Sequence, residues 1–86
     1  MSSMFSIEFT RHAEVFLKKL GKKDAEIIVK KIYAIRNDPF RFVKRLQGNK
    51  LWRLRVMDYR VIVDIILTGN KIIVLRIGQR KNIYGI

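Results

Sequence analysis

A chain of 86 residues is one domain, 1–86, too short for two cores that fold alone. Its 49% apolar content argues against disorder, and the absence of cysteine excludes disulfides and thiolate metal sites and fits a reducing cytoplasm. Nineteen Lys and Arg against seven Asp and Glu give a net charge of +12, a field that attracts polyanions and speeds encounter with them.

The charge is uneven. Residues 1–40 carry eight basic and five acidic side chains, whereas residues 41–86 carry eleven basic and two acidic ones, Asp58 and Asp64. A polyanionic partner is therefore expected at the C-terminal half, nucleic acid ahead of an anionic membrane surface. The opening six residues lack the apolar stretch of a signal peptide, and the greasiest run, 61–67, is broken by Asp64 and too short to span a bilayer. A soluble protein is expected.

Phe5, Ile7 and Phe9 alternate with Ser6 and Glu8, the pattern of a short strand with one buried face. Thr10 can cap the helix predicted over 11–20, where Ala13, Phe16, Leu17 and Leu20 recur at helical spacing, and Gly21 reads as its stop. A second helix is predicted from Lys23 or Asp24, with Ala25, Ile28, Val29, Ile32 and Ile35 on one face, ending at Asn37-Asp38-Pro39. Residues 40–50 are polar, basic and punctuated by Gly48-Asn49. They predict an exposed loop pinned by Val43 and Leu46.

Three strands follow. Residues 51–56 place Trp52, Leu54 and Val56 inward with Arg53 and Arg55 outward; 59–67 is β-branched and reads as a central strand; 71–77 is the last, ended by Gly78. Met57-Asp58 and Thr68-Gly69-Asn70 supply the turns. The order β-α-α-β-β-β implies an α+β fold in which a helical hairpin packs on a small, mainly antiparallel twisted sheet.

The chemistry available is narrow. His12 is the single histidine, at a helix start where a surface role is the ordinary one. Without acidic pairs at metal spacing or a phosphate-binding glycine pattern, an enzyme built on this chain is expected to need no metal, thiol or nucleotide cofactor. The positive feature is a basic constellation. Arg53 and Arg55 project from one strand face, Arg60 follows Tyr59 on the next strand, and Arg80, Lys81 and Tyr84 lie beyond the last. Guanidinium forks match phosphate oxygens and stay charged at neutral pH, so several together can hold a phosphodiester and stabilise the pentavalent dianion formed when a 2′-hydroxyl attacks it. For Arg53 and Arg55 the competing account is the solvated face of an antiparallel sheet. Arg76 is expected to pair with Asp64 across the last hairpin, a structural role.

The ordered string Asp38-Pro39, Leu46-Gln47-Gly48, Trp52-Arg53-Leu54-Arg55-Val56, Asp58-Tyr59-Arg60-Val61, Ile77-Gly78-Gln79-Arg80-Lys81 and Ile83-Tyr84 resembles the RelE/ParE toxin superfamily over nearly the whole chain. The resemblance implies a RelE-like microbial RNase fold and the toxin half of a type II toxin–antitoxin pair. For the RelE branch it implies a ribosome-dependent endoribonuclease that cleaves messenger RNA in the A site, inhibiting translation in the cytoplasm. Cleavage there proceeds by metal-free 2′-hydroxyl attack, leaving a 2′,3′-cyclic phosphate and a 5′-hydroxyl. On that pattern Arg53 and Arg55 are the paired basic residues, Arg60 grips the scissile phosphate, Arg80 protonates the leaving oxygen or stabilises its charge, and Tyr84 stacks on a base. Arg41, Lys44, Arg45, Lys50 and Lys81 would contact RNA.

Met57 and Gln79 depart from the glycine and histidine that many members carry, and arginine replaces lysine at 53 and 55. Arginine rarely transfers protons, which implies catalysis by charge stabilisation and alignment. The implied partners are an acidic, RelB-like antitoxin in a hetero-oligomer, the ribosome and messenger RNA. A ParE-like gyrase inhibitor and a non-catalytic RNA-binding module are the alternatives.

Overall fold

The computed structural model describes residues 4–79. In chain order they form β1 (Ser6–Phe9), α1 (Arg11–Lys19), α2 (Lys22–Ala34), a single 3-10 turn (Pro39–Arg41), β2 (Lys44–Arg45), β3 (Trp52–Val56), β4 (Tyr59–Ile66) and β5 (Lys71–Gln79). The sheet runs β1-β5-β4-β3-β2, and only the β1–β5 pair is parallel. The helical hairpin on a mainly antiparallel sheet is the expected α+β architecture. The addition is β2, a two-residue edge strand inside the segment expected to be a loop.

Local chemistry sets the helix ends. Thr10, in extended backbone, accepts a hydrogen bond from the Ala13 amide at 3.2 Å and so caps α1. Gly21 does not act as the expected left-handed stop: its φ of −58° is ordinary, and its carbonyl accepts the Ala25 amide, so it opens α2. Helix α1 closes instead through the Leu20 amide on the Phe16 carbonyl. Ile28 and Ile32 of α2, Ile35 at its C-cap and Ala13 of α1 meet Leu54, Val56, Val61, Val63, Ile72, Val74 and Ile77 from the sheet, all essentially buried. Each of the buried Val, Leu and Ile side chains contributes about 1.5–3 kcal/mol on leaving water.

The hairpin turns fall where expected. Gly69 and Asn70 adopt φ of 84° and 50°, which glycine and asparagine tolerate. Met57 adopts φ 54° in the tight β3–β4 link, with Val56 facing Tyr59 across it.

Strand β5 departs from expectation twice. Gly78 does not end it; it lies buried within the strand, directly opposite Arg60. The ladder also slips: Ile62 faces Arg76 but Val63 faces Val74, leaving Leu75 as an unpaired bulge residue. Thr10 fastens that bulge, its amide donating to the Val74 carbonyl at 3.0 Å and its hydroxyl to the Leu75 carbonyl at 2.7 Å. The slip overturns the expected partnership of Arg76 with Asp64. Asp64 stands opposite Ile73, and Arg76, opposite Ile62, reaches His12.

Candidate functional site

Residues directly opposite in a ladder share a sheet face, so the register places the cations. One row across the sheet reads Lys44, Arg53, Ile62, Arg76; the adjacent row reads Arg55, Arg60, Gly78. Lys44, Arg53, Arg55 and Arg60 project from the face away from the helices, because the alternating residues Leu54, Val56, Val61, Val63 and Ile77 enter the core; Arg76 starts on that face by register, and its guanidinium reaches His12 at the start of α1. Arg53, Arg55 and Arg60 thus converge from two neighbouring strands, with rows about 7 Å apart and strands about 4.8 Å apart.

Arg55 is exposed and Arg53 half-buried, whereas Arg60 is only 6% exposed, the sole charged side chain so deeply placed among the described residues. The Arg60 Nη1 donates to the Tyr59 carbonyl at 3.3 Å, and across the strand Gly78 contributes no side chain beside it. Arginine cannot shed its proton to escape burial, so the charge persists and favours an anion. The far end of the same face is acidic or neutralised: Glu8 pairs with Lys71 at 2.9 Å, and Asp64 shares its row with Glu8 and Ile73.

The other expected RNA contacts divide. Lys44 joins the arginine face opposite Arg53. Arg45, one residue on, stacks over the Trp52 ring at 5.0 Å and donates to the Asn49 carbonyl at 3.2 Å. Arg41 lies over Phe42 at 5.9 Å, with Lys31 over the same ring at 5.1 Å. Lys50 is exposed in the β2–β3 loop. A cationic–aromatic cluster therefore lies at the β2 edge on the helix side of the sheet, where Trp52 stands opposite the core residue Val63 and Phe40 is edge-on to its ring. Arg80, Lys81 and Tyr84 lie outside the described residues.

Tyr59 sits on the helix side, edge-on to Phe16, with its hydroxyl donating to Asp24 Oδ2 at 3.1 Å. Burial and that hydrogen bond push its pKa above the ordinary tyrosine value. It stays protonated at neutral pH and is no base for the opposite face. Among the described residues no three His, Cys, Asp or Glu side chains gather as metal ligands, and no helix is long and apolar enough to cross a membrane.

Arg76 is the cation of this face that sequence reasoning set aside. The run Ile72-Ile73-Val74-Leu75 is apolar at every position, so alternation carries no phase through it, and the bulge that turns Arg76 outward leaves no mark in the pattern.

Comparison with known proteins bears on the fold and the family. The chain is similar to a chain of the toxin–antitoxin complex RelBE2 from Mycobacterium tuberculosis, at 22% identity and a TM-score of 0.81, covering 91% of this chain and 100% of that one. It is similar to a chain of the archaeal RelE-RelB complex from Pyrococcus horikoshii, at 22% identity and a TM-score of 0.78, covering 93% of this chain and 99% of that one. It also resembles a chain of a chromosomal ParDE system from P. aeruginosa, at 18% identity and a TM-score of 0.73, covering 88% of this chain and 96% of that one. No curated protein sequence matches it significantly. At these identities the structural likenesses establish the fold. The family model for the ParE toxin of type II toxin–antitoxin systems, parDE, matches residues 7–84. With nearly its whole length matched, the chain belongs to that family and is a type II toxin of the RelE/ParE superfamily.

Proposed function

We propose that this toxin is a ribosome-dependent endoribonuclease that cuts messenger RNA in the A site. The observation that carries the proposal is the convergence of Arg53 and Arg55 with the buried Arg60 on one sheet face. The ribose 2′-oxygen attacks the adjacent phosphorus and the bond to the 5′-oxygen breaks, giving a 2′,3′-cyclic phosphate and a 5′-hydroxyl. The proton lost by the 2′-hydroxyl is balanced by the one the leaving oxygen takes up. Arg60 grips the phosphate, and Arg53 and Arg55 stabilise charge that builds on its equatorial oxygens; one such donor contributes about 10²–10³ in rate. Arg80 serves the leaving oxygen and Tyr84 stacks on a base. Lys44, with Arg41, Arg45, Lys50 and Lys81, tracks the RNA backbone, which makes binding strongly salt-dependent.

The antitoxin is an acidic, RelB-like chain that folds on contact and holds the toxin in the cytoplasm in a hetero-oligomer. An open groove between the helices suits part of such a chain, with Leu17, Leu20, Ala25 and Val29 as apolar floor and Lys18, Lys22 and Lys30 on the rim.

The parDE description of the matching family favours a second function, inhibition of DNA gyrase. One paired assay separates them: messenger cleavage mapped on translating ribosomes, and plasmid supercoiling by gyrase. Cleavage by the wild type, lost in Arg60→Met with gyrase unaffected, is the expected result. Intact messenger with blocked supercoiling assigns the gyrase function, and no effect in either leaves an RNA-binding module.

A further inference from the structure

The bulge at Leu75 gives the arginine face a member outside the family-like string. Arg76 shares its row with Lys44 and Arg53 and lies diagonally next to Arg60. Its Nη2 lies 3.3 Å from His12 Nε2, and its Nε is buried with no hydrogen-bond partner among the described residues. A buried guanidinium donor without an acceptor is costly, and such groups are uncommon in native proteins outside functional positions. A guanidinium nitrogen only donates, so His12 Nε2 is the acceptor in that contact. His12 is fixed in turn, because the Thr10 hydroxyl caps α1 and grips the Leu75 carbonyl at the same time. Three neighbouring features thus steer one guanidinium: the bulge orients it, the Thr10 clasp places the helix start, and the imidazole holds one arm of the fork.

We infer that Arg76 is a further phosphate-binding residue of this face, gripping an RNA phosphate beside the one held by Arg60, and that His12 is its positioning residue. Burial closes Nε itself to an incoming ligand, whereas the Nη2–His12 contact is exposed, so a phosphate oxygen meets the guanidinium at its terminal end, which His12 holds pre-organised. The inference deepens the nuclease proposal by extending the RNA path from Arg60 toward the start of α1.

The test is binding of the full chain to a fluorescent single-stranded RNA oligonucleotide over a potassium chloride series, with thermal melts alongside. Arg76→Met keeps the apolar stem and is expected to weaken binding severalfold and to flatten the slope of log K against log salt by about 0.7, the loss of one phosphate contact on a single strand. His12→Ala should weaken binding in part, and His12→Gln, whose amide oxygen can accept from Nη2, should restore it; a merely structural histidine would not be rescued in binding. An unchanged salt slope in a folded Arg76→Met variant overturns the inference and makes Arg76 a pin between α1 and β5. Should that variant not fold, Arg76→Lys decides. Lysine retains the charge but not the fork, so weaker binding at an unchanged slope supports the inference and wild-type binding overturns it. The oligonucleotide assay stands apart from messenger cleavage: a wild type that cuts no messenger refutes the nuclease proposal while the Arg76 slope is still read.

Discussion

Arg55 and Arg60 stand directly opposite each other on neighbouring strands, two like charges in one row of the sheet. Opposed like charges destabilise a ladder, and the burial of Arg60 keeps one of them from solvent. A sheet selected for stability alone would place a threonine or an acid at one of the two positions. Neutralising the exposed member should therefore separate stability from function. Arg55→Gln is expected to raise the unfolding free energy by about 0.2–1 kcal/mol in urea while reducing toxicity on expression. A less stable variant would mean that the two cations are not in net repulsion.

Met57 carries a positive φ of 54° in the β3–β4 turn, and its side chain is exposed, so little packing repays the strain. A left-handed backbone costs a residue with a β-carbon about 1–2 kcal/mol, and glycine returns part of that through its freer unfolded chain. Met57→Gly is expected to stabilise the protein by about 0.5–1 kcal/mol with RNA binding unchanged. A drop in melting temperature would show that the methionine packs to effect in this turn.

Much of the fold was legible because its signals are local. Thr10 capping, the Ile28-Ile32-Ile35 stripe, the β3 alternation and the Gly69-Asn70 turn each depend on a few neighbouring residues, and each stands as expected. Convergence of Arg53, Arg55 and Arg60 followed from that alternation plus a two-residue link of fixed register. What stayed hidden depends on partners remote in sequence. Strand β2 exists because Lys44 and Arg45 find the edge of β3, although the polarity of residues 40–50 predicts a loop. Gly21 carries no sign of whether it ends one helix or opens the next. The β5 bulge is fastened by Thr10, 65 positions away, in a run too uniformly apolar to reveal its phase, so alternation pairs Arg76 with Asp64 where the ladder does not.

Tyr59 ties the sheet to α2 through Asp24, and its phenol titrates above the usual range because it is buried and hydrogen-bonded to a carboxylate. Tyr59→Phe should cost about 1–2 kcal/mol at neutral pH, where the bond to the carboxylate is intact. A folded-state pKa above the unfolded one makes this contribution complete below about pH 10, the ordinary tyrosine value. It is lost as pH rises from there through the raised folded value, since ionised tyrosine favours the unfolded chain. The wild type and Tyr59→Phe should therefore converge in stability above pH 10 in denaturant melts. Curves that stay parallel to pH 11 would show that the phenol ionises without consequence for the fold.

Thr10 bears on both stability and the arginine face. Its hydroxyl accepts from the Ala13 amide and donates to the Leu75 carbonyl, so one oxygen caps α1 and fastens the β5 bulge. Thr10→Ala removes both bonds and is expected to destabilise the protein by about 1–2 kcal/mol. Thr10→Ser retains the hydroxyl and should recover most of that. Freed from its clasp, the bulge should open more often, so the amides of Leu75 and Arg76 should exchange hydrogen faster in Thr10→Ala than the global loss of stability accounts for. RNA affinity should fall together with that local opening, because the His12 contact that steers Arg76 depends on where α1 begins. Faster exchange spread evenly over the sheet, with RNA affinity unchanged, would reduce Thr10 to a helix cap with no hold on the site.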